Sequence, residues 1–196
     1  MSACPHNFAL DKGELLLLPT ETVWGVAARA DNSVAIDRLY RAKGRNFNKP
    51  FALCISSLEQ AQSFGVFSRT ATTLAKRHWP GPLTLIVSAT PKAIDGFDPR
   101  AFGSMEGRKT IAFRCPDTLW RTSLCISPLV LTSANKSLQP DALTQDAARA
   151  ELPGIETYSC KQVLSGKPST IISCIEGEIS VLRQGELKLN MDALHD

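Results

Sequence analysis

Residues 15–25 run Leu15-Leu16-Leu17-Leu18-Pro19-Thr20-Glu21-Thr22-Val23-Trp24-Gly25, and the reading of this stretch sets the fold. Four leucines would suit a helix, but so short a run ending on proline reads as a buried strand from Glu14 to Pro19. A helical pattern follows at once. Ala35, Leu39 and Ala42 share one face of Asp31 to Lys43, with Asn32 or Ser33 as the cap. The alternation then repeats. Phe51 to Ile55, Leu83 to Val87, Thr110 to Cys115 and Leu129 to Thr132 read as strands. Leu58 to Phe64, Ser68 to His78, Asp117 to Leu124 and Thr144 to Leu152 read as helices, Asp117 sitting where it would favour a helix start. Two last strands, Ser169 to Cys174 and Ile179 to Leu182, lie close enough to pair as a hairpin. Thr90 to Lys109, with three glycines, two prolines and no clear periodicity, reads as a long loop of the lid-forming kind. Interleaved helices and strands with one hairpin predict an α/β domain on a mixed sheet.

Composition narrows the class. A length of 196 residues suits one domain, 1–196, with its own core. Hydrophobic residues make up 43% and charged residues 21%, an ordinary globular balance. No apolar run approaches the ~20 residues that span a bilayer. Residues 1–7 lack the basic segment and apolar core of a signal peptide. The expectation is a cytoplasmic protein without membrane contact. The cysteines at 4, 54, 115, 125, 160 and 174 form no Cys-x-x-Cys pair, and His6, His78 and His195 match no zinc spacing. No protein-borne metal site is expected, and most thiols read as buried and free.

The net charge is only +3, yet Arg38, Arg41, Lys43, Arg45 and Lys49 cluster between residues 38 and 50 with no acidic neighbour in that window. Arg38 and Arg41 suit a solvated helix face. Lys43, Arg45 and Lys49 run off the helix end into a loop marked by Gly44, the turn-prone Asn46-Phe47-Asn48 and Pro50, where cations can converge on phosphates. The Pro19-to-Gly25 loop carries two threonine hydroxyls and a carboxylate at a strand end, where ligand loops collect in α/β sheets. Trp79-Pro80-Gly81-Pro82-Leu83-Thr84 reads as a rigid turn that shapes the sheet. Arg114 ends an apolar strand and needs an anion: a substrate carboxylate, or a salt bridge to Glu21 or Asp117. Thr132-Ser133-Ala134-Asn135, Lys167-Pro168-Ser169-Thr170 and Leu182-Arg183-Gln184-Gly185 complete the polar segments. The phosphate-binding Gly-x-x-x-x-Gly-Lys-Ser/Thr loop, the Gly-x-Gly-x-x-Gly turn and the nucleophile elbow are all missing, so any bound ATP must be held by side chains.

In order and spacing, PTETVWGV, KGR then KP, HWPGPLT, TIAFRCPD, LTSAN, PST and LRQG resemble the YrdC-like family of threonylcarbamoyl-AMP synthases. The resemblance runs from about Leu15 to Gly185. It implies a YrdC-like twisted mixed parallel/antiparallel sheet flanked by helices, with a concave basic cavity, in the single-domain form. The implied activity joins L-threonine, bicarbonate and ATP into threonylcarbamoyl-AMP and pyrophosphate. The product would pass to the tRNA threonylcarbamoyl transferase machinery, which makes N6-threonylcarbamoyladenosine at position 37 of tRNAs reading ANN codons. Mg²⁺ would enter with ATP rather than in a protein cage.

By motif position, the resemblance implies that Thr22, Cys54, Arg114, Ser133 and Ser169 line a threonine pocket. Arg45, Lys49, Thr110, Asn135, Thr144 and Arg183 would contact ATP, with Lys43 adding charge; Lys43, Arg45 and Arg114 would carry catalysis by neutralising two approaching anions. No general base is obviously demanded. Some positions depart from the family: Asn46 follows KGR in place of proline, Trp24 replaces Tyr or Phe, and Cys54 stands where other residues occur. Leu138 occupies the usual glycine of TSAN-x-Ser-Gly, which predicts a differently bent loop and loosens the placing of Thr144. Three rival readings are an RNA-binding module of the same fold (with weak RNA binding through the basic cluster), a carbamoyl-adenylate maker of the hydrogenase-maturation type, and a regulator that keeps the pocket without turnover. The second ranks low, because that system adds zinc-binding segments and this chain has no Cys-x-x-Cys.

Overall fold

The leucine run forms a strand, β1 (Leu16–Pro19), buried along its whole length. A computed structural model describes residues 5–47 and 49–189; Cys4, Asn48 and His195 lie outside them. Ahead of β1 stands an unanticipated helix, α1 (Pro5–Asp11). After the Thr20–Val23 loop comes β2 (Trp24–Arg29), also unanticipated. Its sequence, WGVAAR, lacks the alternation of a half-exposed strand because it is buried between β1 and a later strand.

Helix α2 (Ser33–Lys43) follows as expected, with Asn32 Oδ1 accepting from the Ala35 amide at 3.0 Å. Gly44 ends it at φ 57°, the left-handed conformation that glycine adopts without strain. Then come β3 (Ala52–Cys54), α3 (Leu58–Gln62), β4 (Gly65–Val66), α4 (Arg69–His78) and β5 (Leu83–Ala89). The turn before β5 holds a cis Trp79–Pro80 bond, and Trp79 Nε1 donates to the Leu83 carbonyl at 2.7 Å, so it shapes the sheet as read.

The segment read as a long loop is structured instead. It carries α5 (Pro91–Gly96), a 3-10 turn at Pro99–Ala101 and β6 (Gly103–Met105) before β7 (Arg108–Arg114). Thr90 caps α5, and Arg100, held by Asp98 within the segment at 2.8 Å, ties it to α2 by donating to the Ser33 carbonyl at 2.9 Å. The Arg100–Ser33 contact spans 67 residues, and the Thr90 cap and the Asp98–Arg100 pair are single local contacts, so none leaves a periodic signal.

The helix read over Asp117 to Leu124 is shorter: α6 (Arg121–Leu124) begins after Trp120, with no side-chain cap. Asp117 does not start it. Strand β8 (Leu129–Ser133), α7 (Gln145–Glu151), β9 (Glu156–Thr157), β10 (Thr170–Ile175) and β11 (Glu178–Arg183) complete the described chain.

The strands form one mixed sheet in the order β11-β10-β5-β7-β3-β8-β2-β1-β9, with β4 on β5 and β6 on β7. Parallel pairs join β3 to β7, β5 to β10 and β1 to β9; β10 and β11 form the expected antiparallel hairpin. One face buries Leu53, Leu85, Val87, Ile111, Phe113 and Val130 with Ile36, Leu39 and Tyr40 of α2 and Leu74 of α4. Each leucine so enclosed contributes about 2 kcal/mol. The opposite face is covered at one end only, where Leu16, Leu18, Cys54 and Leu129 meet Leu10 of α1 and Trp120, Leu124 and Cys125 around α6. The rest of that face is left for a cavity.

Candidate functional site

The cavity has a volume of about 300 Å³ and lies over the uncovered part of the sheet. Its floor follows from strand alternation. Thr110, Ala112 and Arg114 of β7 point to one side, as do Thr84 and Ile86 of β5 and Leu131 and Ser133 of β8. Register sets them side by side: Thr84 opposite Arg114, Ala52 opposite both Ala112 and Leu131, and Gly25 opposite Ser133. Small side chains in the centre of the sheet leave the space that larger ones would fill.

Cationic groups enter from three directions. Arg114 closes β7, where its Nη2 donates to Glu21 Oε1 at 2.9 Å and to Thr22 Oγ1 at 2.6 Å. The buried Arg114 Nε and Glu21 Oε2 have no hydrogen-bond partner among the described residues. Arg45 leaves the end of α2, lies 4.7 Å over the Phe51 ring and donates to the Lys49 and Pro50 carbonyls. Arg183 ends β11 and donates from Nε and Nη2 to the Ser169 carbonyl at 3.0 and 2.8 Å. Among the described residues neither Arg45 nor Arg183 has a salt bridge. Burial lowers the pKa of both, and for Arg183 the nearby Arg114 adds to the effect. Gly185 makes the Arg183 arrangement possible, since a Cβ there would fall 2.1 Å from the Pro168 carbonyl oxygen.

Of the residues assigned by resemblance, Arg45, Thr110, Arg114, Ser133, Ser169 and Arg183 line this cavity. The others stand behind or beside it. Thr22 is fully buried, and its hydroxyl holds Arg114 and Thr20 Oγ1. Lys43 is buried under the Ser133–Asn135 turn, donating to the carbonyls of Ser133 at 2.5 Å and Asn135 at 2.6 Å. Burial, with Arg45 nearby, pushes its pKa down to about 8. Asn135 spans the same turn, accepting from Ser133 Oγ at 2.5 Å and donating to the Gln139 carbonyl at 2.5 Å. Lys49 is exposed and contributes its carbonyl to Arg45 and Tyr40. Thr144 is exposed and caps α7 by accepting from the Ala147 amide at 3.1 Å. Cys54 shares the sheet face of Ala52 but lies under α6, its Sγ 3.3 Å from Cys125 Sγ, and burial holds its thiol well above the ordinary range.

The lining also includes two polar residues, Thr84 and Asp141, to which the motifs assigned no role. Thr84 meets Ser169 hydroxyl to hydroxyl at 2.8 Å; the alternation of the β5 strand contained that signal. Asp141 had only its place in a Pro140-Asp141 turn, which looks like ordinary loop chemistry. At Leu138 the chain makes a left-handed turn, φ 74°, with a leucine in it.

The Sua5/yciO/yrdC family, described as "Telomere recombination", matches residues 8–185. The chain belongs to this family. Its Sua5/yciO/yrdC relatives include the threonylcarbamoyl-AMP synthase of Thiobacillus denitrificans, 32% identical over 87% of this chain and 89% of that protein. The threonylcarbamoyl-AMP synthase of Bacillus subtilis is 33% identical over 90% of this chain and 51% of its own length. The structure of P. abyssi Sua5 complexed with L-threonine superposes with a TM-score of 0.79 at 32% identity, covering 92% of this chain and 53% of that one. E. coli YciO shares the fold, with a TM-score of 0.79 at 21% identity over 92% of this chain and 87% of that one. The chain thus spans about half the length of the B. subtilis and P. abyssi proteins. The twisted mixed sheet with flanking helices is the YrdC-like architecture expected from the motifs.

Proposed function

We propose that this chain makes threonylcarbamoyl-AMP and pyrophosphate from L-threonine, bicarbonate and ATP. The observation that carries the reading is the convergence of Arg45, Arg114 and Arg183 on one cavity, two of them without a salt bridge among the described residues. Guanidinium groups brought so close together call for anions, and a substrate carboxylate and a triphosphate supply them. The names of the synthase relatives and the threonine complex of the P. abyssi protein support the same choice.

In this mechanism Arg114, which lines the cavity, takes the threonine carboxylate beside the hydroxyls of Ser133 and Ser169. The threonine nitrogen combines with bicarbonate to give a carbamate, whose oxygen attacks the α-phosphorus of ATP as pyrophosphate leaves. Arg45 and Arg183 hold the triphosphate, with Thr110 on the floor between the two anions. Lys43 and Asn135 fix the turn that presents Ser133, and Lys43 adds positive charge from behind it. Alignment and charge neutralisation do most of the work. Among the described residues no group of three His, Cys, Asp or Glu side chains could cage a metal. Mg²⁺ would enter with ATP on the phosphates, where it would neutralise charge. The product would feed the tRNA threonylcarbamoyl transferase machinery in the cytoplasm. Among the described residues, no helix is long and apolar enough to cross a membrane.

Pyrophosphate release measured with each substrate omitted in turn tests the reading. Release should require ATP, threonine and bicarbonate together; equal ATP cleavage without threonine would overturn it.

A further inference from the structure

We propose that Asp141 receives the ammonium group of the amino-acid substrate and accepts its proton, making it a catalytic residue of the reaction proposed above, on which this inference rests. The motif reading demanded no general base; the cavity supplies a reason for one. Arg45, Arg114 and Arg183 make its wall positive, and Asp141 is the one carboxylate lining it among the described residues. An amino acid arrives with its amine protonated at neutral pH. That cation is repelled by the arginines, and its nitrogen has no lone pair with which to attack carbon. A carboxylate in the same cavity answers both difficulties, first by attracting the ammonium and then by taking its proton.

Asp141 is free for this task. Glu21 is engaged by Arg114 and Asp98 by Arg100, whereas the Asp141 carboxylate makes no hydrogen bond or salt bridge among the described residues. Its field reaches Lys43 and Arg183, opposing the effect of burial on both. The backbone around it is fixed: the next residue, Ala142, accepts from the Trp24 amide at 2.9 Å, and Gln139 accepts from Asn135 Nδ2 at 2.5 Å. Asp141 is only half-buried, so a proton it gains can leave to water.

The step balances. The ammonium, bicarbonate and the Asp141 carboxylate give the N-carboxylate, one water and the Asp141 carboxylic acid. The new bond joins nitrogen to carbon, the broken one joins that carbon to the departing hydroxyl, and one ammonium proton leaves with the hydroxyl as water. A second ammonium proton goes to Asp141, and the third stays on nitrogen.

Asp141→Asn keeps the volume and removes the charge. At about pH 7 its kcat/KM for threonine should fall at least about tenfold, with the KM for Mg-ATP unchanged; by about pH 9, where more amine arrives unprotonated, the deficit should shrink. Asp141→Glu should restore part of the activity. Unchanged kcat/KM for threonine, a deficit equal at both pH values, or a loss falling on Mg-ATP instead would overturn the assignment. If wild-type protein releases no pyrophosphate at all, the proposed reaction fails by itself. Calorimetry of threonine binding then decides for Asp141: weaker binding to the Asn variant than to wild type supports it, and equal binding overturns it.

Discussion

Arg114 and Glu21, 93 residues apart in sequence, form an ion pair at 2.9 Å in which each partner keeps one buried atom unpaired. The side chains are 10% and 16% exposed, so the pair is largely shielded from water. The two readings of Arg114 left open by the sequence are therefore compatible. Glu21 orients the guanidinium from one side, while Arg114 still lines the cavity that a substrate carboxylate would enter.

Arg114→Lys keeps the charge and loses the planar fork. The KM for threonine should rise about tenfold or more with little change in melting temperature. Arg114→Ala strands the Glu21 carboxylate and should cost about 3 kcal/mol in urea denaturation. A collapse of stability in both variants with threonine affinity intact would reduce Arg114 to a structural role.

Arg45→Ala should weaken ATP binding roughly ten- to hundredfold while leaving threonine binding close to wild type. Its hydrogen-bond partners in the free protein are the Lys49 and Pro50 carbonyls, both on the exposed part of the loop, and beyond them it only stacks on Phe51, so the fold should tolerate the change. Nucleotide calorimetry on the folded variant is the measurement. An unchanged affinity would return Arg45 to the solvated surface.

Lys43 gives a pH prediction whose sign runs opposite to that of a lysine gaining a carboxylate partner. Its folded pKa is lowered from 10.5 to about 8, chiefly by burial. Between those values the unfolded chain binds the extra proton, so this group makes stability rise as pH increases through the window. Urea denaturation of wild type and Lys43→Met across that range should show the rise in wild type alone. Parallel curves would mean that the amine titrates near its ordinary value.

Leu138 is 99% exposed and sits at φ 74°. A side chain in that conformation is strained by roughly 1–2 kcal/mol. Part of any gain on replacement is returned through the greater freedom of glycine in the unfolded chain. Leu138→Gly should therefore stabilise by up to about 1 kcal/mol, read as a higher urea midpoint. A lower midpoint would show that the leucine makes a favourable contact in solution.

Cys54 tests which residues reach substrate. Enclosed with Cys125 under α6, it does not line the cavity. Cys54→Ala should lower stability by about 1 kcal/mol and leave the KM for threonine within about twofold. A large change in KM at unchanged stability would place its thiol in the threonine pocket after all.

Elements with strong local chemistry were legible in the chain itself. Helix α2 has a capping Asn32, an apolar stripe and a terminal Gly44, and β5, β7 and β8 are built of apolar and β-branched runs. Strand β2 was not legible, because a strand buried on both sides loses its alternation, and the short β4, β6 and β9 exist only through their partners. Asp117 misled for the opposite reason: a good local start signal lost to Trp120, whose indole donates to the Pro19 carbonyl at 2.7 Å and fixes that stretch before α6 begins.

The sequence by itself determined the α/β class, the closing hairpin, the family and the cations that belong together, since periodicity and motif order survive in one dimension. Only the tertiary structure decided which of those cations face one space. Register across β5, β7, β3 and β8 set small residues beside Arg114, while Lys43 was drawn beneath a turn 90 residues away and Asp141 was brought into the cavity lining. Side-chain direction depends on strand pairing and on what covers each face, and neither is written in the local order of residues.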